Sequence, residues 1–333
     1  MANIVRTDRE LEMQGVDAAL RAAGHELVLL PDGVGEDELA RALGDADLLL
    51  MCYTPVTARV IASAPRLKGI VKYGVGIDAI DIEAAKARGI AVVNVPEYAE
   101  ETVAEGAFAL LIALAKKLKP VQREMDAKGW AWPTAQWMGV DLAGKTLGLV
   151  GVGKIGSSMA RMAQGFRMRV VGFSPNSLFP PGVEKRSRLQ EMLAECDFVS
   201  IHCVLNAETR GLIGERELAA MKPSAFLVNT ARGAIVDEAA LLRALQERRI
   251  AGAALDVYSR EPVAKTGHPL SSLYAMDNVI LSPHLTFYTH EAMARLEAET
   301  LERCKEVLEG RPVTIKSCDP RLRAQRKGVR FLD

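Results

Sequence analysis

The sequence predicts an α/β protein of two doubly wound parallel sheets with a cleft between them. Three features lead there: short β-branched runs alternate with helical segments, the alternation occurs in two successive series, and a glycine turn joins strand to helix at the head of the second. In the first series the runs "HELVLL", "ADLLLMC", "KGIVKY" and "IAVVNV" are separated by the helical segments "DELARALG", "ARVIASAP" and "IEAAKARG". Next comes "EETVAEGAFALLIALAKKLKP", with acids in its first turn, lysines in its last and a proline stop; it reads as one long buried connecting helix. The second series runs through "KTLGLVGVG", "RVVGF", "FVSIH", "AFLVN", "GAALDV" and "NVILS". A final segment, "HEAMARLEAETLERCKEVLEG", has apolar residues at helical spacing and stops at Gly310; spacing alone leaves open whether it packs on the first series.

At 333 residues the chain has room for two ordinary domains, each burying its own core. Its 42 basic and 42 acidic residues cancel, so the net field recommends neither nucleic acid nor an anionic membrane as partner. The basic stretch "RLRAQRKGVR" is a local exception, read as a solvated or packed tail rather than a nucleic-acid arm. Five scattered cysteines with no C-x-x-C pair argue for free thiols in a reducing compartment, and no cluster has metal-ligand spacing. The start is charged and the longest apolar run, "AFALLIALA", is too short to span a bilayer, so a cytoplasmic protein is expected.

"TLGLVGVGKIGSSMARMAQGF" supplies strand, glycine turn and helix in the order a Rossmann-like dinucleotide site requires. Gly151 makes the tight turn, Gly153 lets a pyrophosphate approach the backbone, and Gly156 lets the helix pack close to the strand. The amides of Lys154 and Ile155 then face the phosphates at a helix N-terminus. At 18 residues past Gly156, where an acid normally takes the ribose hydroxyls, stands Ser174. Without the acid, a 2′-phosphate is no longer repelled. Ser174 and Asn176 can bond a ribose or a phosphate, Lys185 and Arg186 are the nearest cations downstream, and Pro175 removes one backbone donor. NAD and NADP both remain admissible.

Three segments, each following a strand of the second series, have the residue types that carbonyl reduction needs: "VNTARGAIVDEAALL" with Arg232, "AALDVYSREPV" with Glu261 and "NVILSPHLTFY" with His284. A guanidinium fork grips a carboxylate and polarises the neighbouring carbonyl. Imidazole titrates near neutrality, which suits His284 to give and take the carbonyl proton, and Glu261 would hold the imidazolium. A reductase that prefers neutral to mildly acidic pH is expected. His25, His202, His268 and His290 read as structural.

With "GVGIDAID", "DLAGKTLGLVGVGKIG", "CDFVSIHCVLNAETRGLIG", "MKPSAFLVNTARGAIVDEAALLRAL", "IAGAALDVYSREP" and "NVILSPH" in this order, the chain from about Val71 to Leu308 resembles the D-isomer-specific 2-hydroxyacid dehydrogenases, a family that includes phosphoglycerate dehydrogenase and glyoxylate and hydroxypyruvate reductases. The resemblance implies two Rossmann-like or flavodoxin-like domains: a substrate-binding domain of residues 1–101 plus 291–333 and a dinucleotide-binding domain of 102–290. It implies that Arg232, Glu261 and His284 are catalytic, that Asp256 and the backbone of Thr230 meet the nicotinamide carboxamide, and that Cys203 lines the adenosine side. It also implies a substrate loop at Lys72, Tyr73, Gly74, Val75 and Gly76, whose glycines let amides turn towards a carboxylate. Lys72 is either a phosphate contact or a surface lysine, and Trp137 in "GWAWPTAQWMG" either shapes a partner's pocket in a homodimer or simply packs.

The family pattern is broken at Ala79, Val204, Asn206 and Gly106, none of them in the triad. The segment "VPEYAEETVAEG" is similar to the C-terminal-binding-protein corepressors, so a nucleotide-sensing interaction protein stands as the alternative to a reductase of a small 2-keto acid. Phosphoglycerate dehydrogenase is the alternative within enzymes. Formate dehydrogenases have Gln where Glu261 stands.

Overall fold

The computed structural model describes residues 1–175 and 177–332. It divides into two compact units, Met1–Ala99 with Thr289–Asp333, and Glu100–Tyr288.

The first unit is built on five parallel strands, β1 (Asn3–Arg6), β2 (Glu26–Leu29), β3 (Leu48–Met51), β4 (Gly69–Lys72) and β5 (Ala91–Asn94), in the order β2-β1-β3-β4-β5. Strands β3 to β5 are buried along their whole length, which is why they read as unbroken apolar runs rather than alternating ones. Strand β1 was not among the expected strands, because its Ile4 and Val5 run straight into a charge, Arg6. Its place inside the sheet is secured by Arg6, only 1% exposed, whose guanidinium forks onto both oxygens of Asp17 on the helix Gln14–Ala22 at 2.9 Å. The helix His290–Leu308 belongs to this unit and is tied to it by the Gly15 amide, which donates to Glu297 at 2.9 Å.

Seven parallel strands form the second unit: β6 (Thr146–Val150), β7 (Arg169–Phe173), β8 (Val183–Lys185), β9 (Phe198–Ile201), β10 (Phe226–Asn229), β11 (Gly252–Leu255) and β12 (Val279–Leu281), in the order β12-β11-β10-β9-β6-β7-β8. One apolar cluster, centred on Leu193, Leu241 and Leu273, and a second, centred on Phe108, Met159 and Ala163, make two cores around it. The second contains the helix Glu100–Ala115, whose Ala104, Ala107, Phe108, Leu111 and Leu114 are buried. That helix ends before its lysines. Lys117 takes φ +52°, and a new helix, Leu118–Lys128, starts with Pro120 in its first turn, where a missing N–H costs nothing. The proline thus opens the second helix instead of closing the first.

A parallel pair, β13 (Val313–Ile315) and β14 (Val329–Phe331), ends the first unit. All five cysteines are free thiols. Among the described residues no helix is long and apolar enough to cross a membrane.

Candidate active site

Strand order in the second unit reverses between β6 and β9, and the glycine turn lies at this switch point. Gly151 has φ +97°, and a Cβ there would lie 2.5 Å from the Cys203 amide nitrogen, so no other residue fits. A Cβ on Gly156 would stand 2.3 Å from the Gly151 carbonyl, which measures how closely helix and turn are packed. Gly153 is the contrast: nothing lies within 4 Å of its Cβ position, leaving the backbone approachable where the helix Lys154–Gly165 begins. That helix opens with Lys154 and Ile155, and a helix N-terminus favours an anion.

Two side chains back this turn. His202 bonds Ser200 through Nε2 at 2.9 Å, and burial pushes its imidazole down to about 4, which keeps it neutral. Burial pushes the Cys203 thiol up to about 11, which keeps it protonated. After β10, the Thr230 hydroxyl is buried and has no partner among the described residues. An open glycine cradle, a helix N-terminus and this unsatisfied hydroxyl fit a nicotinamide dinucleotide.

Ser174, directly after β7, bonds the Ser177 hydroxyl at 2.6 Å. The two cations named from sequence have other engagements. Arg186 reaches Glu195 through Nε at 2.5 Å and Glu184 through Nη2 at 2.9 Å, while Lys185 Nζ sits 5.5 Å over the Phe179 ring. Asn176 lies outside the described residues.

Arg232 is delivered by a turn that Asn229 folds: its Oδ1 accepts from Ala231 N and its Nδ2 donates to Arg232 O, both at 3.0 Å. Gly233 then brings this turn against the next one. A Cβ on Gly233 would fall 2.0 Å from the Tyr258 carbonyl carbon and 2.1 Å from Ser259 N. The touching segment ends in Glu261, whose Oε1 accepts from Tyr258 N at 2.9 Å and whose Oε2 accepts from His284 Nδ1 at 3.0 Å. Burial would raise the Glu261 carboxyl, but the His284 hydrogen bond and charge, the Tyr258 amide and the Arg232 charge outweigh it and hold it below the ordinary value of 4.5. An ionised Glu261 can only accept, so His284 Nδ1 is the donor in this contact. The Tyr258 hydroxyl lies 3.0 Å from both the Leu255 and Ser282 carbonyls and joins the ends of β11 and β12.

His284 itself has φ +60°, uncommon for a non-glycine residue. Asp256, 0% exposed, holds the residues after it: Oδ1 accepts from Leu285 N at 2.9 Å and Oδ2 from Thr286 N and Oγ1 at 3.0 and 2.6 Å. The Asp256 carboxylate is therefore taken up by this loop.

In the first unit the segment 72–76 begins at the last residue of β4. Lys72 is 5% exposed; its ammonium donates to Cys52 O at 2.6 Å and Sγ at 3.0 Å and lies 5.3 Å over the Tyr53 ring. The Tyr73 side chain is withdrawn into the core, its hydroxyl on Thr7 O at 2.5 Å, so this residue offers the surface only backbone. Gly74 has φ +146°, Val75 is exposed and Gly76 is half-buried. Asn94, at the end of β5, donates to Val75 O at 2.6 Å and fixes the loop. Asn94, Asn229 and Tyr258 were not singled out from sequence; the one signal was an Asn directly after an apolar strand run. Among the described residues no group of three or more His, Cys, Asp or Glu could hold a metal.

Residues 108–286 match the family model described as the D-isomer specific 2-hydroxyacid dehydrogenase, NAD binding domain. The chain is 42% identical over 268 residues to a glyoxylate reductase of Korarchaeum cryptofilum, covering 77% of this chain and 79% of that one. It is 38% identical over 283 residues to a D-3-phosphoglycerate dehydrogenase of Methanocaldococcus jannaschii, covering 84% of this chain but only 53% of that protein. The D-lactate dehydrogenase of Aquifex aeolicus, solved with NAD and lactic acid, superposes with a TM-score of 0.82 at 30% identity over 92% of this chain and 96% of that one.

Proposed function

The chain belongs to the D-isomer-specific 2-hydroxyacid dehydrogenase family and is an oxidoreductase with an NAD-binding domain; on that premise we propose that it reduces a small, unphosphorylated 2-keto acid to the D-2-hydroxy acid. The observation that carries the reading is the 3.0 Å contact of Glu261 with His284 Nδ1, on a segment pressed against the Arg232 turn. When bound, the reduced nicotinamide supplies the hydride. Arg232 binds the substrate's carboxylate and polarises its carbonyl. In the reduction the His284 imidazolium, stabilised by Glu261, gives the carbonyl oxygen its proton from Nε2 and is left as neutral imidazole; in the reverse direction the neutral ring takes that proton back. The amides of Gly74, Val75 and Gly76 receive a carboxylate, and Asn94 keeps them in place.

The unphosphorylated class is supported by Lys72. Its ammonium is spent on Cys52 and Tyr53 rather than held out to a distal phosphate. Arg186 is spent on Glu184 and Glu195 rather than held out to a 2′-phosphate, and Ser174 itself does not repel one, so both NADH and NADPH serve. The enzyme acts in the cytoplasm as a homodimer. Support for the dimer is the outward segment 129–140, where Trp132 and Met138 are 74% and 72% exposed, next to a helix, Leu118–Lys128, with no buried residue.

The deciding experiment follows NADH and NADPH absorbance with glyoxylate, hydroxypyruvate, pyruvate and phosphohydroxypyruvate. Turnover of the first three above the fourth is expected. Turnover of phosphohydroxypyruvate alone would sink the unphosphorylated class, and tight nucleotide binding with no turnover at all would leave the nucleotide-sensing alternative.

A further inference from the structure

The helix Glu100–Ala115 carries a glycine at its seventh position, Gly106, where glycine is among the poorest residues for a helix interior. Gly106 is also one of the departures from the family pattern. Its neighbour explains it. A Cβ on Gly106 would lie 2.7 Å from Thr286 Cβ, 2.8 Å from Cγ2 and 3.1 Å from Cα, so the Thr286 side chain fills the space that any larger residue would need. On its other side Thr286 is bonded twice to the buried Asp256 Oδ2, by its amide at 3.0 Å and its hydroxyl at 2.6 Å. Two residues before it stands His284 at φ +60°. A non-glycine residue stays in that region only when its surroundings over-determine it.

We infer that Thr286 is a positioning residue for His284: wedged on Gly106 and donating two hydrogen bonds to Asp256, it holds the backbone turn that sets the imidazole against Glu261. The inference rests on the reading of His284 as the proton donor. Glu261 fixes the ring through Nδ1, while Thr286 and Leu285, through Asp256, fix the main chain from which the ring hangs. Removing the hydroxyl while keeping the shape leaves Asp256 short of its shortest donor and loosens that main chain. Adding a methyl at Gly106 pushes Thr286 bodily. Both act on proton transfer and leave the glycine turn at β6 untouched.

The test measures kcat and KM for glyoxylate, and the Kd of NADH by fluorescence, for wild type, Thr286→Val, Thr286→Ser, Gly106→Ala, His284→Ala and the double variant Thr286→Val/His284→Ala. Expected is an about tenfold or greater loss of kcat in Thr286→Val and Gly106→Ala, with KM and the NADH Kd held within about twofold, as a sub-ångström misplacement of a reacting group predicts. Thr286→Ser, which restores the hydroxyl, returns kcat to within about threefold of wild type, and Thr286→Val has no further effect once His284 is gone. Wild-type kcat in Thr286→Val, or the same fractional loss with and without His284, overturns the inference and leaves the proton-donor reading standing. Full activity in His284→Ala overturns both. Should Thr286→Val fail to fold, shown by lost NADH binding, Gly106→Ala decides: an unchanged kcat there overturns the inference and a loss at constant NADH affinity supports it.

Discussion

Glu261→Gln removes a charge at nearly constant volume. The carboxylate now accepts two hydrogen bonds, from Tyr258 N at 2.9 Å and His284 Nδ1 at 3.0 Å. An amide has one oxygen, so only one of these two donors keeps its acceptor and the other faces an NH2 group. Bonds to a charged group contribute about 1.5–3 kcal/mol against about 0.5–1.5 for neutral ones, so losing one and weakening the other removes roughly 2–3 kcal/mol from the arrangement. With side-chain exposures of 24% for His284 and 32% for Glu261, solvent screening favours the lower end of that range. A loss of about 2 kcal/mol in the proton-transfer step is an about thirtyfold fall in kcat. The pH dependence follows from the sign of the Glu261 shift. Burial pushes the carboxyl up, the His284 bond and the other favourable charges win, and the folded value lies below 4.5. A carboxyl depressed in the folded state stabilises the fold at pH above its unfolded value and loses that contribution as pH falls through the folded one. The stability gap between wild type and Glu261→Gln is therefore constant at neutral pH and closes below pH 4.5. Stopped-flow kcat and urea midpoints over a pH series check both statements. Wild-type kcat in the variant, or a stability gap that persists unchanged at the acid end, would refute the reasoning.

Three further outcomes are expected. Gly233→Ala places a methyl 2.0 Å from the Tyr258 carbonyl carbon, so the Arg232 turn must separate from the Glu261 segment; a stability loss of about 3 kcal/mol or more with a collapse of kcat/KM is expected from urea unfolding and steady-state assays. Ser174→Asp restores an acid where a 2′-phosphate would sit and shifts the NADH/NADPH ratio of kcat/KM towards NADH by about tenfold or more; an unchanged ratio assigns the choice to another residue. Trp132→Ser combined with Met138→Ser removes the two most exposed large apolar side chains of the segment 129–140, and sedimentation should show the proposed dimer weakened; unaltered association moves the interface elsewhere, and a monomeric wild type overturns the dimer proposal.

Strands such as "LLLM" and "AVVN" were legible in the sequence as unbroken apolar runs. Strand β1 was not, because its decisive residue is a buried arginine whose partner, Asp17, lies on a helix; that pairing exists only in three dimensions. The helix break after Ala115 was hidden for a related reason: a proline at a helix start and one after a helix end leave the same local signature. In the candidate site, the glycine turn and the three segments bearing Arg232, Glu261 and His284 could be found from residue type and position after a strand. The supports could not. Gly233 looks like any turn glycine until the backbone of Tyr258 and Ser259 is found against it, and Gly106 looks like a flaw in a helix until Thr286 fills its place. Lys72 shows the converse: its type suggests an anion contact, while its buried bonds to Cys52 suggest a strut.

In the proposed reaction His284, held by Glu261, moves the proton that accompanies hydride transfer. The most direct test is a single-turnover measurement in which preformed enzyme–NADH is mixed with saturating glyoxylate, for wild type and His284→Ala. An about hundredfold or greater slowing of NADH oxidation in the variant at unchanged NADH affinity is predicted, as for removal of a general acid. Equal single-turnover rates in the two proteins would contradict it.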